Sequence, residues 1–352
     1  MSSPVVGIIA NPVSARDIRR VISHAGSLQI TDRANIVLRI LAGLAASGVD
    51  KVVMMPENAG IRGHLARALN RAANVGRARF PDLSFLDMHI TGTAMDSVNA
   101  ARRMRQMDVA AIVVLGGDGT HRVVIASCGN TPVAGVSTGT NNAFPEMREP
   151  TVTGLAVGLA VTGRVPPSTV FVGNKRLDVR INDREEIALV DVAVVNERYV
   201  GSRAVWRTDS FRELFVTFGE PGGIGMSSIV GLLAPVKRKA PFGRRVVFAP
   251  PETASFTLPA PIAPGLIEPV GIESVETIDL NTPIKLKIGA GSIAFDGERE
   301  LTFSETDEVY ITLRDAAFRT IDVEACMSAA AASGLFVQSA DRVSGVNHVQ
   351  GG

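Results

Sequence analysis

The spacing of hydrophobic and polar residues changes once along this chain, near residue 150. Before that point, short apolar runs alternate with segments in which apolar residues recur every three to four positions. The short runs predict buried strands and the spaced residues predict amphipathic helices. Repeated alternation of the two predicts a doubly wound parallel sheet with helices on both faces.

In this first part we expect strands and helices in turn along the chain. The expected strands are Val5–Ala10, Val52–Met55, Leu83–Ile90 and Val109–Leu115. The expected helices are Thr31–Ala46, a segment marked by Ile61, Leu65 and Leu69, Thr93–Met107 and Thr120–Ser127. Val109–Leu115 carries no charge, which is typical of a strand covered on both faces.

After residue 150, one helix at Val152–Val161 is followed by many strand-length segments separated by turn residues. This pattern predicts a β-rich, sandwich-like second domain, and the prolines of residues 250–282 suggest a loop-rich insertion within it. We therefore expect an α/β domain at residues 1–148 and a β-rich domain at residues 149–322. A helix and a frayed tail are expected at residues 323–352.

Composition limits the class of protein. Hydrophobic residues make up 46% and charged residues 20%, as in a globular protein. No apolar run is long enough to span a bilayer, and the N-terminus lacks the basic segment of a signal peptide. Cys128 and Cys326 are too few for a disulfide framework or a thiolate metal site. We expect a cytoplasmic protein with no resident metal.

The charge is unevenly distributed, although the net charge is only +1. Residues 1–148 carry 16 Lys and Arg against 10 Asp and Glu, and 15 of those cations are Arg. The planar Arg guanidinium suits phosphate oxygens, although Arg is equally an ordinary surface cation. A nucleic-acid binder would show a denser basic stripe with interleaved aromatics. We expect neither a nucleic-acid nor a membrane partner.

Candidate chemistry is concentrated in Gly116, Gly117, Asp118, Gly119 and Thr120, which follow the strongest predicted strand. Ligands of open α/β sheets bind at the carboxyl ends of strands. Glycines let backbone amides approach an anion, and the helix that follows adds its positive N-terminal end. The carboxylate of Asp118 suits Mg²⁺ or the removal of a proton from an attacking hydroxyl. The alternative is a tight strand-to-helix turn capped by Asp.

This glycine stretch is neither of the two common phosphate-binding motifs. No Lys-Ser or Lys-Thr follows it, as in a Walker loop, and the third glycine of the dinucleotide fingerprint is absent. The stretch resembles the signature of the superfamily of NAD kinases, diacylglycerol kinases and sphingosine kinases.

Other stretches carry the same resemblance in the same order along the chain. They are Asn11-Pro12-Val13-Ser14, the loop Thr138-Gly139-Thr140-Asn141-Asn142, the pair Asn196-Glu197, and Asp296-Gly297. With Ala15-Arg16-Asp17-Ile18-Arg19-Arg20, the chain most resembles the ATP-NAD kinase-like family of acetoin catabolism protein X.

The resemblance implies an NAD kinase-like fold and phosphoryl transfer from ATP to a hydroxyl, most directly the ribose 2′-OH of NAD, with Mg²⁺ arriving with the nucleotide. It assigns Asp118 as the base and the first domain as the phosphate-binding part. It assigns Asn196 and Glu197 to an acceptor held by the second domain. The nucleotide would also contact Asn11, Gly116, Gly117, Gly119, Thr120, Thr138, Gly139, Thr140, Asn141, Asn142 and Asp296. Family members usually self-associate, so a homo-oligomer is expected.

One departure from the family leaves the acceptor open. Residues 222–228 stand where NAD kinases have the Thr, Ala and Tyr that contact NAD. The alternatives are a kinase of another small hydroxyl compound and a regulator that binds NAD or ATP without turnover. A lipid kinase is disfavoured, because residues 206–235 lack a basic amphipathic face. Some candidates also have simpler interpretations than contact with a nucleotide. Asn141 and Asn142 are ordinary residues of a loop, Asn196 and Glu197 could merely close a strand, and Asp296 could be the turn residue of a hairpin.

Overall fold

The computed structural model of the chain describes residues 3–12, 28–75, 79–138, 142–197 and 208–337. Within these ranges the chain forms a nine-stranded mixed sheet and a seven-stranded antiparallel sheet. The expected combination of an N-terminal parallel sheet and a C-terminal β-rich part is confirmed.

The two sheets are built from sixteen strands of the described ranges. The strands are β1 Val5–Ala10, β2 Lys51–Met54, β3 Asp82–Phe85, β4 Ala111–Gly116, β5 Val133–Ser137, β6 Phe171–Ile181, β7 Arg184–Ala188, β8 Asp191–Val195, β9 Phe211–Val216, β10 Phe242–Phe248, β11 Phe256–Ala263, β12 Leu266–Asp279, β13 Ile284–Lys285, β14 Gly291–Phe295, β15 Glu298–Phe303 and β16 Val309–Ile321. The helices are α1 Ile30–Ala46, α2 Ile61–Val75, α3 Ala94–Gln106, α4 Asp118–Ile125, α5 Pro150–Val161, α6 Pro167–Val170, α7 Ser227–Leu233 and α8 Val323–Ala332, and a 3₁₀ turn covers Thr208–Ser210.

The first five strands form a parallel sheet in the order β3-β2-β1-β4-β5. Their side chains alternate between two cores, as the pleat requires. On β4, Val113 and Leu115 face the core that contains residues of α1, α5 and α8. Ile112 and Val114 face the core that contains residues of α3 and α4. Burial on both faces explains the uninterrupted apolar run in the sequence.

Helices α1 and α5 pack with their backbones close together. A Cβ atom added to Gly154 would lie 2.3 Å from the carbonyl oxygen of Ile40, and one added to Gly43 would lie 2.4 Å from that of Thr151. Only glycine fits at such distances, because the contacts are with backbone atoms that cannot rotate away. This contact fixes the start of the second half of the chain against the parallel sheet.

The nine-stranded sheet continues beyond β5 with antiparallel strands from the later part of the chain. β16 pairs with β5 in parallel and with β6 in antiparallel, while β7 and β13 pair with β6 and β16. Leu177 of β6 and Ile311 of β16 share a core with Val192 and Val194 of β8. The antiparallel end of the first sheet and the second sheet therefore form a sandwich.

The two sheets do not correspond to the two halves of the chain. The first sheet takes β6, β7, β13 and β16 from beyond residue 148, so the two sheets do not separate at that residue. The division into residues 1–148, 149–322 and 323–352 stays a prediction.

The expected loop-rich insertion at residues 250–282 is wrong. β11 and β12 form a long hairpin there, with Pro259 opposite Pro269. β11 lies at the edge of the seven-stranded sheet. Proline has no N–H group to donate to a neighbouring strand. An edge strand tolerates it because one side of that strand has no neighbouring strand to bond.

Candidate functional site

The predicted site residues of the first domain lie at the carboxyl ends of three neighbouring strands. Asn11 follows β1, Gly117 follows β4 and Thr138 follows β5, and β4 lies between the other two. The order of the strands reverses between β1 and β4, because β2 lies on one side and β5 on the other. Such a reversal is where open α/β sheets bind ligands.

Hydrogen bonds join these strand ends into one network. Asn11 Nδ2 donates to Thr120 Oγ1 at 3.0 Å, and Thr138 N donates to the Gly116 oxygen at 3.2 Å. Arg33, on the first turn of α1, donates through Nη1 to the Asn11 oxygen at 2.9 Å and lies 3.4 Å from Thr138 Oγ1. Arg33 is only 2% exposed, so a buried cation ties the opening loop to the loop after β5.

Helix α4 begins at Asp118, two residues earlier than expected from the sequence. The glycine stretch is therefore a strand end, an N-cap at Gly117 and a first helical turn. A Cβ atom added to Gly116 would lie 2.5 Å from the Cβ of Thr120, so this position requires glycine. The earlier start of α4 is explained by Asp118, because Asp is favourable in the first turn of a helix, near its positive end.

The N-terminus of α4 differs from those of the preceding helices at this edge of the sheet. Asp32 bonds the backbone before α1, Glu57 accepts three amides at the start of α2, and Asp96 accepts two amides before α3. The N-cap residue of α4 is Gly117, which has no side chain that could accept from the first-turn amides. The first turn of α4 is thus a place at this edge where backbone amides suit a bound anion.

The carboxylate of Asp118 bonds the loop that follows β5. Oδ2 accepts from Ala143 N and Oδ1 accepts from Phe144 N, each at 2.9 Å. Asp118 is 8% exposed. The structure therefore gives Asp118 a definite positional duty at the site, holding residues 143 and 144 against the start of α4.

Arg238 holds the same loop from the opposite side. Its Nη2 donates to the oxygens of Ala143 at 2.7 Å and Phe144 at 2.9 Å. The guanidinium also lies over the rings of Phe144 and Phe218, at 5.4 and 4.1 Å from the centroids. No sequence signal pointed to this role, because Arg238 stands in a basic run, Lys237-Arg238-Lys239, that is typical of a solvated surface.

His121, one turn into α4, is fully buried. Its Nδ1 lies 2.9 Å from the Gly117 oxygen, so Nδ1 carries the proton and donates it there. The ring packs against Phe144 with centroids 5.7 Å apart. Burial lowers the pKa of His121 to about 4, although hydrogen bonding to the backbone opposes this shift. The imidazole is thus neutral near pH 7 and acts as a brace for the glycine turn.

Asp296 lies in the hairpin turn between β14 and β15, where Asp296 and Gly297 both have positive φ, at 49° and 85°. This is the two-residue turn that Asp-Gly favours. Its buried carboxylate accepts from the amides of residues 189–191, and Arg122 Nε lies 3.7 Å away. Burial raises the pKa of Asp296, against the opposing effects of Arg122 and those amides. Contact between Asp296 and a nucleotide stays a prediction.

The same hairpin brings an acidic side chain to the start of α4. Both carboxylate oxygens of Glu298 would lie 4.0 Å from a Cβ atom added to Gly119. Arg122, one helical turn after Asp118, completes the link between α4 and the hairpin through Asp296. The late Asp-Gly stretch and the glycine motif are therefore adjacent, and Glu298, the residue after that stretch, is a further candidate to which the resemblance assigned no role.

Asn196 and Glu197 lie elsewhere. Strand β8 begins at Asp191, whose oxygen accepts from Asp296 N, and Asn196 and Glu197 follow the other end of this strand. Asn196 lies five positions after Asp191 along the extended chain, which corresponds to roughly 16 Å at about 3.3 Å per residue. Asn196 is exposed, and the Glu197 oxygen accepts from Ser292 Oγ at 2.8 Å. The described structure does not bring this pair to the first turn of α4.

Some predicted residues fall outside the described ranges. Gly139, Thr140 and Asn141 are among them, as are Arg16, Arg19 and Arg20. Asn142 is described, and its Nδ2 donates to Ser137 Oγ at 2.8 Å. This bond holds the side chain of Asn142 at the carboxyl end of β5, beside Thr138.

The described residues contain no group of three or more His, Cys, Asp and Glu side chains placed to hold a metal ion. Within the same ranges, none of the helices combines the length and apolar composition that crossing a membrane requires.

Comparisons with known proteins agree with this arrangement. Residues 6–163 match the family model of the ATP-NAD kinase N-terminal domain, and residues 175–316 match that of the acetoin catabolism protein X C-terminal domain. The acetoin catabolism protein X of Cupriavidus necator is 52% identical over 330 residues, covering 92% of each chain. The crystal structure of yeast NADH kinase complexed with NADH has a TM-score of 0.53 at 14% identity, covering 100% of this chain and 91% of the yeast chain. At that identity the structural match shows the fold alone.

Proposed function

Because the chain belongs to the family of acetoin catabolism protein X and has an NAD kinase-like fold, we propose that it transfers a phosphoryl group from ATP to a hydroxyl. The observation that carries the proposal is the N-terminus of α4, whose N-cap residue is a glycine and which lies where the strand order reverses. The first acceptor we propose is the ribose 2′-OH of NAD, which would give NADP.

The phosphates of ATP would lie against the first turn of α4. The amides of Gly117, Asp118, Gly119 and Thr120 would donate to phosphate oxygens, aided by the positive end of the helix. Asn11, after β1, and Thr138 and Asn142, after β5, would border the phosphate site from the two neighbouring strands. Mg²⁺ would enter with the nucleotide, since Mg²⁺ commonly needs only one or two carboxylates besides phosphate oxygens.

Asp118 would receive the proton of the acceptor. The hydroxyl oxygen attacks the terminal phosphorus of ATP, its proton passes to the carboxylate, and the bond from phosphorus to the ADP oxygen breaks. The amides of Ala143 and Phe144 each donate to one oxygen of this carboxylate. Those two bonds orient the carboxylate, and positioning is the main protein contribution to such transfers.

Asn196 and Glu197 would contact a part of the acceptor that is remote from the reacting hydroxyl. Their position at the far end of β8 supports this over a contact with the transferred phosphate. A dinucleotide has two ribose–base units joined through two phosphates, so one unit can react while the other is held at a distance. Asp296 would act from behind the site, because its carboxylate holds the backbone of residues 189–191.

The test is to incubate the pure protein with NAD, ATP and Mg²⁺ and to measure NADP. We expect NADP to form and Asp118→Asn to lower kcat by about 10²-fold, the usual scale for a positioned acid–base group. Asp279→Asn, an exposed change on β12, is the matched control and should leave kcat unchanged. Equal NADP formation by wild type and Asp118→Asn would remove Asp118 from the reaction. If no NADP forms, ADP release with small hydroxyketones tests the alternative acceptor.

A second candidate is a regulator that binds NAD or ATP without turnover. Two observations favour it: each oxygen of Asp118 already holds a loop amide, and residues 222–228 lack the Thr, Ala and Tyr of NAD kinases. A ligand that binds only the native state raises the melting temperature. A regulator would show such a rise with NAD or ATP and would form no product from any acceptor.

A further inference from the structure

We propose that Arg238 is a positioning residue for Asp118 and acts on it through the peptide group between Ala143 and Phe144. The hydrogen bonds that link Arg238 to Asp118 through this peptide exist whether or not the protein is a kinase. Its consequence for turnover rests on the proposed function, in which Asp118 receives the proton of the acceptor.

The chain of contacts passes through a single planar peptide. The carbonyl oxygen of Ala143 and the amide N–H of Phe144 belong to the same rigid group. Arg238 Nη2 donates to that oxygen at 2.7 Å, and that N–H donates to Asp118 Oδ1 at 2.9 Å. A cation and an anion therefore bind opposite ends of one peptide dipole.

A second pair of bonds restrains the same two residues. Arg238 Nη2 also donates to the Phe144 oxygen at 2.9 Å, and Ala143 N donates to Asp118 Oδ2 at 2.9 Å. Both carboxylate oxygens of Asp118 are thus fixed by amides whose own residues Arg238 holds. Rotation of the carboxylate would require movement of a loop that the guanidinium anchors.

The surroundings keep the guanidinium in place. Its faces contact Phe144 and Phe218, and these rings limit its movement. Burial lowers the pKa of Arg238, whereas the carboxylates of Glu146, Glu220 and Asp118 oppose that change. An Arg side chain stays charged in proteins even so. A fixed cation on the carbonyl polarises the peptide and makes its N–H a stronger donor to Asp118.

The first experiment observes this hydrogen bond directly. Protein labelled with ¹⁵N-Phe gives one amide signal for each of its 14 Phe residues, and Phe144→Tyr identifies the signal of Phe144. An amide proton bound to a carboxylate resonates downfield, so Asp118→Asn should move the Phe144 signal upfield. Arg238→Met, which keeps an apolar stem against the rings, should move it in the same direction. Lys237→Met, an exposed neighbouring cation, should leave it in place.

An unchanged Phe144 signal in Arg238→Met would overturn the proposal. If that variant does not fold, Arg238→Lys provides the test. A lysine keeps the charge but loses the planar guanidinium, so we expect a smaller upfield movement. An unchanged signal there would equally overturn the proposal.

The second experiment separates positioning from general stability. If the protein turns over, Arg238→Met should lower kcat about tenfold or more, because misplacement of a reacting group is costly, while KM for ATP changes little. In the Asp118→Asn background, the same change should lower kcat no further. An equal fold-loss in both backgrounds would show that Arg238 does not act through Asp118. If the Phe144 signal moves but Asp118→Asn keeps full turnover, the positioning contact stands and the proposed function fails.

Discussion

Protonation of His121 should lower the free energy of unfolding as the pH falls. The imidazole is fully buried beneath the glycine turn, and its Nδ1 already donates to Gly117. A second proton would place a charge in this apolar position beside Phe144. We expect the protein to lose unfolding free energy as the solution is acidified, and His121→Gln to lose less.

The magnitude follows from the pKa of His121, which falls from 6.5 in the unfolded chain to about 4 in the folded protein. Between these values the unfolded state binds a proton that the folded state does not, so stability rises with pH in this window and falls on acidification. At 1.36 kcal/mol per unit, the full effect is about 3 kcal/mol, of which about 2 kcal/mol should be lost between pH 7 and pH 5.

Urea unfolding of wild type and His121→Gln at pH 7, 6 and 5 provides the measurement. Carboxylates also titrate as the pH falls, so the quantity of interest is the difference between the two proteins at each pH. His64→Gln, at a partly buried position of α2, controls for removal of an imidazole elsewhere. Parallel stability curves for wild type and His121→Gln between pH 7 and pH 5 would refute the reasoning.

Two further predictions concern stability and use urea unfolding at pH 7. Gly154→Ala should destabilise by about 1–3 kcal/mol, because the added methyl would lie 2.3 Å from the Ile40 oxygen. Gly63→Ala should stabilise by about 0.5–1 kcal/mol, because its methyl on exposed α2 would make only an ordinary contact, 3.7 Å from Arg67 Nη1. The same sign for both substitutions would contradict the close packing of α1 and α5. Asp296→Ala should cost about 3–5 kcal/mol, since it leaves buried amides and Arg122 without their carboxylate. A loss below about 1 kcal/mol would show that Asp296 is not a structural anchor.

Local elements were predictable because their signals are local. Val5–Ala10 is observed at the expected bounds, and α3 occupies Ala94–Gln106 with Thr93 as its N-cap, within the expected Thr93–Met107. Val109–Leu115 was expected as a strand buried on both faces, and β4 at Ala111–Gly116 is fully buried. Apolar periodicity, cap residues and the absence of charge suffice for such elements.

Long-range pairings were not predictable in the same way. Nothing in the residues of β16 indicates that it joins β5 in the first sheet, or that β11 can carry its prolines because it is an edge strand. Periodicity tells which face of a strand is buried but not which strand lies next to it. The resemblance to NAD kinases gave the fold class correctly because it draws on the whole chain.

In the candidate site, too, the residues of local motifs were predictable and those that depend on tertiary packing were not. The glycine stretch, Asn11 and Thr138 were identified from motifs, and the structure brings them together at three strand ends. Arg33 and Arg238 were missed, since an Arg in a polar segment is usually solvated and only tertiary packing places it against a loop of the site. The bonds from Asp118 to Ala143 and Phe144 depend on a loop 25 residues away, which no local signal specifies.

A crystal structure of the protein with ATP and Mg²⁺ would show directly where the phosphates bind. We predict that the phosphate oxygens lie within hydrogen-bonding distance of the amides of residues 117–120, between the ends of β1 and β5. A nucleotide bound elsewhere, with the first turn of α4 left to solvent, would contradict the account.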